Sequence, residues 1–227
     1  MFKYPGVVTE RFDDAKFNVN YCLFFIKKYL KKDILEVGAG CGTFTDQYFN
    51  NKIKSITLTE LDQKNFIFLK KKFKKKNLFI YKKKINKIKK KYNTIIYLHV
   101  LEHIKNDLQE IKEATNKLKK NGHLIFLVPA HQKMYTNLDK LVGHFRRYEP
   151  SFFKKKFKNL KKINFKFLDS MGLILYFLNK LFFKNENFPS RLKIFIWDKL
   201  FIPLSMILDF FTFYKLGKCM LITYKKV

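Results

Sequence analysis

The chain has 227 residues, and its 47% hydrophobic content excludes an intrinsically disordered protein. The formal net charge of +30 would attract nucleic acid or anionic lipid, but abundant lysine, asparagine, isoleucine and phenylalanine beside only four arginines is typical of an AT-rich genome. The three cysteines lack metal-site or disulfide spacing, and the N-terminal residues lack the apolar core of a secretion signal. We therefore expect a single cytoplasmic domain over residues 1–227.

Predicted strands alternate with predicted helices through the first half of the chain. The strands are short apolar runs bounded by glycine or polar residues, and the helices have an apolar face. Strands are predicted at 33–37, 55–59, 78–81, 93–98 and 123–128, and helices at 17–30, from about Thr43, at 62–76 and at 106–120, the last ended by Asn121 and Gly122. This alternation predicts an α/β fold with a doubly wound, mostly parallel sheet, which binds ligands at the carboxyl ends of its strands.

Two strongly apolar segments precede a predicted last strand at 219–224. The first, 171–183, is shorter than the roughly 20 residues of a membrane span, and the second, 194–213, contains Asp198 and Asp209. We interpret 171–213 as a helical lid or interface insertion, with a membrane-surface role as the alternative. Residues 1–32 are predicted to form an N-terminal helical segment.

A glycine loop follows the first predicted strand. Glu36 is followed by Gly38, Gly40 and Gly42, and these three glycines are a large share of the eight in the chain. Glycine lets a backbone turn tightly and approach a ligand, and the helix that follows offers unpaired N–H groups. Glu60 lies at the end of the second predicted strand, where a carboxylate can bind two ribose hydroxyls.

The loop sequence LEVGAGCGTFT resembles the first motif of the class I S-adenosylmethionine-dependent methyltransferases. The resemblance implies a Rossmann-like seven-stranded sheet, with the extra apolar helices inserted before the last strand. It implies S-adenosylmethionine as cofactor and S-adenosylhomocysteine as product. It also implies that Glu36, Gly38, Gly40 and Gly42 surround the methionine moiety and that Glu60 binds the ribose.

Later motifs resemble a narrower, small-molecule or glycan-type subgroup of these methyltransferases. The segment YNTIIYLHVLEHI resembles its fourth strand, which implies that a backbone group near His99 touches the cofactor. LVPA, Tyr135, Asp139 and GHFRRY at 143–148 resemble the subgroup signature. The resemblance extends from about residue 17 to the end of the chain, but it does not name a substrate.

Histidine is the natural general base for methyl transfer to oxygen or nitrogen near neutral pH. We predict His144, in GHFRRY, as the base, and His103, just after the fourth strand, as the next candidate. The alternative for each histidine is a structural role, in which it only holds neighbouring residues in place or caps a helix.

Two adjacent arginines stand out in a chain that otherwise uses lysine. Arg146 and Arg147 are predicted to bind a carboxylate or phosphate of the substrate, because guanidinium binds such groups through two parallel hydrogen bonds. The alternative is an internal salt bridge to Glu149 or Asp139. The predicted substrate-binding residues are Tyr135, Arg146, Arg147 and Tyr148.

These observations predict a methyltransferase acting on an oxygen or nitrogen of a small molecule, a sugar or a lipid-linked glycan precursor. The alternatives are an RNA-directed methyltransferase, suggested by the charge, and a non-catalytic membrane-associated scaffold with a degenerate Rossmann domain, suggested by the apolar segments. We expect no metal, because no acidic and histidine residues have ligand spacing. We also expect no nucleic-acid partner and a cytoplasmic location, with contact of residues 171–213 with the inner face of the membrane as the alternative. The oligomeric state stays open.

Overall fold

The computed structural model describes residues 14–50, 53–155, 157–182 and 189–227. Its centre is a seven-stranded sheet with the strand order β3-β2-β1-β4-β5-β7-β6. The strands are β1 (Asp33–Val37), β2 (Ser55–Thr59), β3 (Leu78–Tyr81), β4 (Tyr92–Leu98), β5 (Leu118–Pro129), β6 (Leu160–Leu168) and β7 (Cys219–Lys226).

Strands β1 to β5 are parallel to one another, and β7 is antiparallel to both β5 and β6. The inner strands are continuous apolar runs because helices cover both faces, and all five residues of β1 are buried. The predicted Rossmann-like sheet is thereby confirmed. Its strand order reverses between β1 and β4, so the carboxyl ends of these two strands border the crevice where such sheets bind ligands.

Helices flank the sheet. They are α1 (Lys16–Ile26), α2 (Thr43–Tyr48), α3 (Gln63–Lys72), α4 (Asp107–Lys117), α5 (Asn137–Val142), α6 (Ser170–Phe182), α7 (Arg191–Ile196) and α8 (Ile202–Phe211). The prediction that Asn121 and Gly122 end a helix over 106–120 is wrong. Helix α4 ends at Lys117, because Leu118 already pairs with Tyr92 in the sheet, and Asn121 takes a left-handed φ of 59° inside β5.

Strand β6 was not recognised in the sequence. Lysines interrupt its apolar residues, and it lies at the sheet edge with β7 as its pairing partner. Charged residues on an edge strand discourage pairing with other chains. The same lysines remove the continuous apolar run by which the inner strands could be recognised.

Helices α6 to α8 form the insertion between β6 and β7, and residues 197–201 join α7 to α8 through a wider π turn. Their acidic side chains point inward. Asp198 accepts hydrogen bonds from the backbone N–H groups of Phe17 (3.3 Å) and Asn18 (2.9 Å) at the start of α1. Asp209 accepts one from the Tyr21 hydroxyl (2.6 Å). The acids that interrupt the apolar segment are therefore buried partners of α1.

Candidate functional site

The glycine loop encloses a space beside Gly40. The backbone N–H of Gly38 donates to the carbonyl oxygen of Thr59 (2.8 Å), which ties the loop to the end of β2. The N–H groups of Gly40 and Asp62 donate to the two carboxylate oxygens of Glu60 (2.8 Å each). A Cβ atom at Gly40 would meet no protein atom within 4 Å. The loop is thus tied to the end of β2 and leaves open space beside Gly40.

Glu36 lies at the base of this loop with its carboxylate buried. The hydroxyls of Thr45 and Tyr48 both donate to its Oε2 atom at 2.6 Å. Burial nevertheless raises the pKa of Glu36 to about 7. A cationic ligand placed against this carboxyl would favour its ionised form. The group is therefore suited to a ligand with a positively charged amine.

The segment after β4 carries a buried carboxylate among histidines. Glu102 is fully buried, and neither of its oxygens has a hydrogen-bond partner among the described residues. His99 Nδ1 lies 3.6 Å and His144 Nε2 lies 4.0 Å from Glu102 Oε1. The rings of His103 and His144 are in edge contact at 4.7 Å between centroids. Burial alone would raise the pKa of Glu102, but His99 and its neighbours lower it below the ordinary value.

Asp139 fixes the orientation of His144. His144 Nδ1 donates to Asp139 Oδ1 (2.7 Å), and Arg147 Nε donates to both oxygens of the same carboxylate (2.9 and 3.0 Å). Asp139 also accepts from the N–H of Thr136 in a capping box at the start of α5. Burial would raise the pKa of Asp139, but His144 and Arg147 lower it to about 2. Asp139 is therefore ionised, and His144 presents its Nε2 atom towards Glu102.

The other arginine binds a different carboxylate. Arg146 forms an ion pair with Asp107 and donates to the carbonyl of Lys105 (2.8 Å). The hydroxyl of the buried Tyr148 donates to Asp107 Oδ2 (2.9 Å). The internal salt bridge that was the alternative for the two arginines is thus present in the structure, from Arg147 to Asp139 and from Arg146 to Asp107. Arg146 and Tyr148 fasten the 143–148 segment to the segment after β4, and Arg147 fastens it to α5.

The remaining predicted residues divide between the two parts of the site. His99 follows β4 with a left-handed φ of 56°, and its N–H donates to Leu127 (2.8 Å). The Tyr135 hydroxyl donates to the carbonyl of His144 (2.6 Å). Val100 joins the two parts, because a Cβ at Gly38 would lie 2.8 Å from its methyl groups. The glycine loop and the histidine cluster are therefore neighbours at the carboxyl ends of β1 and β4.

Sequence reasoning did not single out Glu102 or Asp107. Glu102 stood inside the quoted segment YNTIIYLHVLEHI, but no role was predicted for it. The interaction of Asp139 with Thr136 did have a sequence signal, since an acid three residues after threonine is the spacing of a capping box.

Comparison with known proteins gives one family. A family model described as "Methyltransferase domain" matches residues 10–164. No curated protein sequence matches the chain.

Several solved structures are similar in fold. NodS, an N-methyltransferase from Bradyrhizobium japonicum WM9 in complex with S-adenosyl-l-homocysteine, is 13% identical with a TM-score of 0.62, over 95% of this chain and 90% of that one. Coclaurine N-methyltransferase, bound to N-methylheliamine and S-adenosylhomocysteine, is 13% identical with a TM-score of 0.60. The match covers 92% of this chain and 72% of that one. A methyltransferase in complex with the Haloferax volcanii Trm112 activator is 11% identical with a TM-score of 0.65. The match covers 98% of this chain and 94% of that one.

Proposed function

The chain belongs to the methyltransferase domain family and is an S-adenosylmethionine-dependent methyltransferase, and on that premise we propose that its acceptor is an oxygen or nitrogen atom of a small molecule, a sugar or a lipid-linked glycan precursor. The observation that carries this proposal is the open space at Gly40, in a loop held by the buried carboxylate of Glu60 and next to a cluster of partly exposed histidines. The N-methyltransferase neighbours, one of them bound to a small amine, support a small acceptor.

Six residues would hold the cofactor. Glu36 would face its amine, the loop glycines its methionine backbone, and Glu60 its ribose, since each carboxylate oxygen keeps a second lone pair after binding one loop N–H. When bound, the cofactor supplies a methyl group already activated on a sulfonium. The cofactor-binding residues of the proposal are Glu36, Gly38, Gly40, Gly42, Glu60 and His99.

Histidines would handle the proton of the acceptor. His144 is oriented by Asp139, and its Nε2 atom carries the lone pair that receives a proton. His103 is the second candidate, because burial lowers the pKa of His103 and keeps its imidazole neutral at pH 7. Tyr135, Arg146, Arg147 and Tyr148 would act by holding the 143–148 segment in place beside the acceptor. In that arrangement the arginines position the base, since their guanidinium groups already bind Asp107 and Asp139.

Calorimetric titration with S-adenosylmethionine and S-adenosylhomocysteine tests the cofactor site. We expect micromolar binding by the wild-type protein and at least about tenfold weaker binding by Glu60→Ala, because the variant loses the ribose partner and releases the Gly40 N–H. Glu113→Ala, on α4, is the matched control and should bind as the wild type does. Equal affinities of wild type and Glu60→Ala would contradict the assignment of Glu60, and absence of binding to cofactor-free wild type would contradict the proposal as a whole.

The insertion supports an acceptor presented at a lipid surface. Large apolar side chains of α7, α8 and the following turn are exposed, including Phe210 (64%) and Phe211 (70%), and lysines lie among them. Among the residues that the structure describes, no helix is long and apolar enough to cross a membrane. Apolar side chains beside cationic ones are the arrangement that binds anionic lipid headgroups peripherally.

Sedimentation with vesicles of phosphatidylcholine and phosphatidylglycerol tests this surface. The double variant Phe210→Ser and Phe211→Ser should bind at least about tenfold more weakly than wild type, because each exposed phenylalanine would contribute on the order of 1 kcal/mol or more when buried in lipid. The control is Phe79→Ser, in β3 at the opposite edge of the sheet. Binding that all three proteins share would mean that charge alone drives it.

A further inference from the structure

Glu102, His103 and His144 bring one ligand atom each to within 4.8 Å of the others. Glu102 and His103 are adjacent in the chain, whereas His144 follows the C-terminal end of α5 and is brought to them by the fold. Their separation is close to the roughly 3 to 4 Å between ligand atoms that share one metal ion. Sequence spacing alone could not show this cluster, because His144 lies about forty residues away, in a separate loop.

The buried carboxylate of Glu102 has the properties of an unfilled ligand. Both of its oxygens are buried without a hydrogen-bond partner among the described residues. Leaving a carboxylate buried and unpaired is costly, and proteins normally pair such a group or use it to coordinate a metal. The nearby histidine nitrogens lie beyond hydrogen-bond distance, at 3.6 Å and 4.0 Å from Oε1.

The two histidines are held in the tautomer that a metal needs. A carbonyl oxygen can only accept, so the contact of His103 Nδ1 with the carbonyl of Gly143 (3.2 Å) places the proton on Nδ1. The contact of His144 Nδ1 with ionised Asp139 (2.7 Å) does the same. In both rings the lone pair is therefore on Nε2. Metal-binding histidines typically donate their other ring N–H to a carboxylate or a backbone carbonyl in this way.

We propose that Glu102, His103 and His144 form a binding site for one divalent transition-metal ion of the Mn²⁺, Fe²⁺, Co²⁺ or Zn²⁺ type. Two imidazoles and one carboxylate suit these ions and leave coordination positions open. Two adjacent oxygen atoms, such as a vicinal diol or a hydroxy acid, can occupy those positions.

The use of the ion in methyl transfer rests on the proposed function, whereas metal binding itself does not. With the ion present, His144 Nε2 is a ligand and does not take the proton of the acceptor. The ion would instead lower the pKa of a bound hydroxyl, so that its proton would pass to solvent water near neutral pH and the remaining oxygen anion would accept the methyl group. The acceptor class is thereby narrowed to molecules with paired oxygen atoms.

A titration with Co²⁺ tests the site. The full chain is first freed of metal with a chelator, and the visible absorption of bound Co²⁺ is then followed. Competition with Zn²⁺ tests whether the two ions bind at the same site. We expect one Co²⁺ per chain, and at least about 100-fold weaker binding by Glu102→Gln and by His144→Gln. The matched control is His131→Asn, since His131 packs on Phe167 outside the cluster and asparagine tolerates its left-handed backbone. This control should keep the wild-type affinity.

Thermal unfolding and cofactor titration separate the possible failures. Glu102→Gln keeps the size of the side chain, so the variant should still unfold in one cooperative transition without metal, but it should lose the metal-induced rise in melting temperature. Wild-type protein that binds S-adenosylhomocysteine but takes up no Co²⁺ would overturn the metal site and leave the methyltransferase proposal standing. Equal Co²⁺ affinities of wild type and Glu102→Gln, or equal losses in Glu102→Gln and His131→Asn, would also overturn it.

Discussion

Gly40→Asn is expected to weaken S-adenosylhomocysteine binding by at least about 100-fold while changing the free energy of unfolding by less than about 1 kcal/mol. Asparagine tolerates the left-handed φ of 54° at this position, and its Cβ meets no protein atom within 4 Å. The new side chain therefore occupies only the space proposed for the cofactor. Calorimetry with the product and urea unfolding of the same preparation give the two quantities.

Gly42→Ala is the contrasting control for that experiment. Its φ is 76°, and the added Cβ would lie 2.5 Å from the ring of Phe73 and 3.0 Å from Leu69. We expect it to lose about 1 to 3 kcal/mol of stability, because the added Cβ would point into space that the side chains of Phe73 and Leu69 already fill. If Gly40→Asn were as unstable as Gly42→Ala, its loss of binding would reflect misfolding, and the open cradle at Gly40 would be contradicted.

Asp139→Asn is expected to destabilise the protein by about 3 kcal/mol. The substitution leaves the guanidinium of Arg147, whose side chain is 9% exposed, without a counter-charge and weakens the cap of α5. Because the pKa of Asp139 is lowered to about 2, its contribution is present above about pH 4 and is lost as the pH falls through 2. Urea unfolding at pH 7 and at pH 3 measures both effects.

The double variant Asp139→Asn and Arg147→Gln tests the cause of this loss. Removing the second charge leaves no unpaired guanidinium, so the double variant should recover part of the stability lost in Asp139→Asn. Double-mutant coupling of at least about 1 kcal/mol is the expected result. Additive effects would show that the two groups do not stabilise each other and that the ion pair does not hold the 143–148 segment.

The parts of the fold that sequence predicted are those in which local pattern and burial agree. Strands β1, β2 and β4 are apolar runs because both their faces are covered, and the helix after the glycine loop begins at Thr43 as predicted. The local sequence pattern gave the wrong secondary structure where pairing between strands determined it. Leu118 continues the apolar spacing of α4, but its pairing with Tyr92 assigns it to β5. Edge strand β6 lacks the apolar run altogether.

The side chains of the site could likewise be assigned from the sequence only in part. Gly40 and Glu60 could be paired from sequence because strand ends and their spacing place them together. Arg147 could not be assigned from its neighbours in the sequence, since a guanidinium suits a substrate and an internal carboxylate equally well. The cluster around Glu102 depends on how the 143–148 segment folds over the end of β4, and no periodicity in the chain encodes that contact.

The capping of α1 by Asp198 also affects the order in which the chain can fold during synthesis. The backbone N–H groups of Phe17 and Asn18 receive their partner from a residue about 180 positions later in the chain. Helix α1 therefore leaves the ribosome long before its cap exists, and it stays incomplete until α7 and the π turn have been made. Such distant closure is slow, because the entropy of a very large loop is lost before its contacts form. The growing chain thus carries an uncapped, apolar first helix through most of its translation, a state in which association with chaperones or neighbouring chains competes with folding.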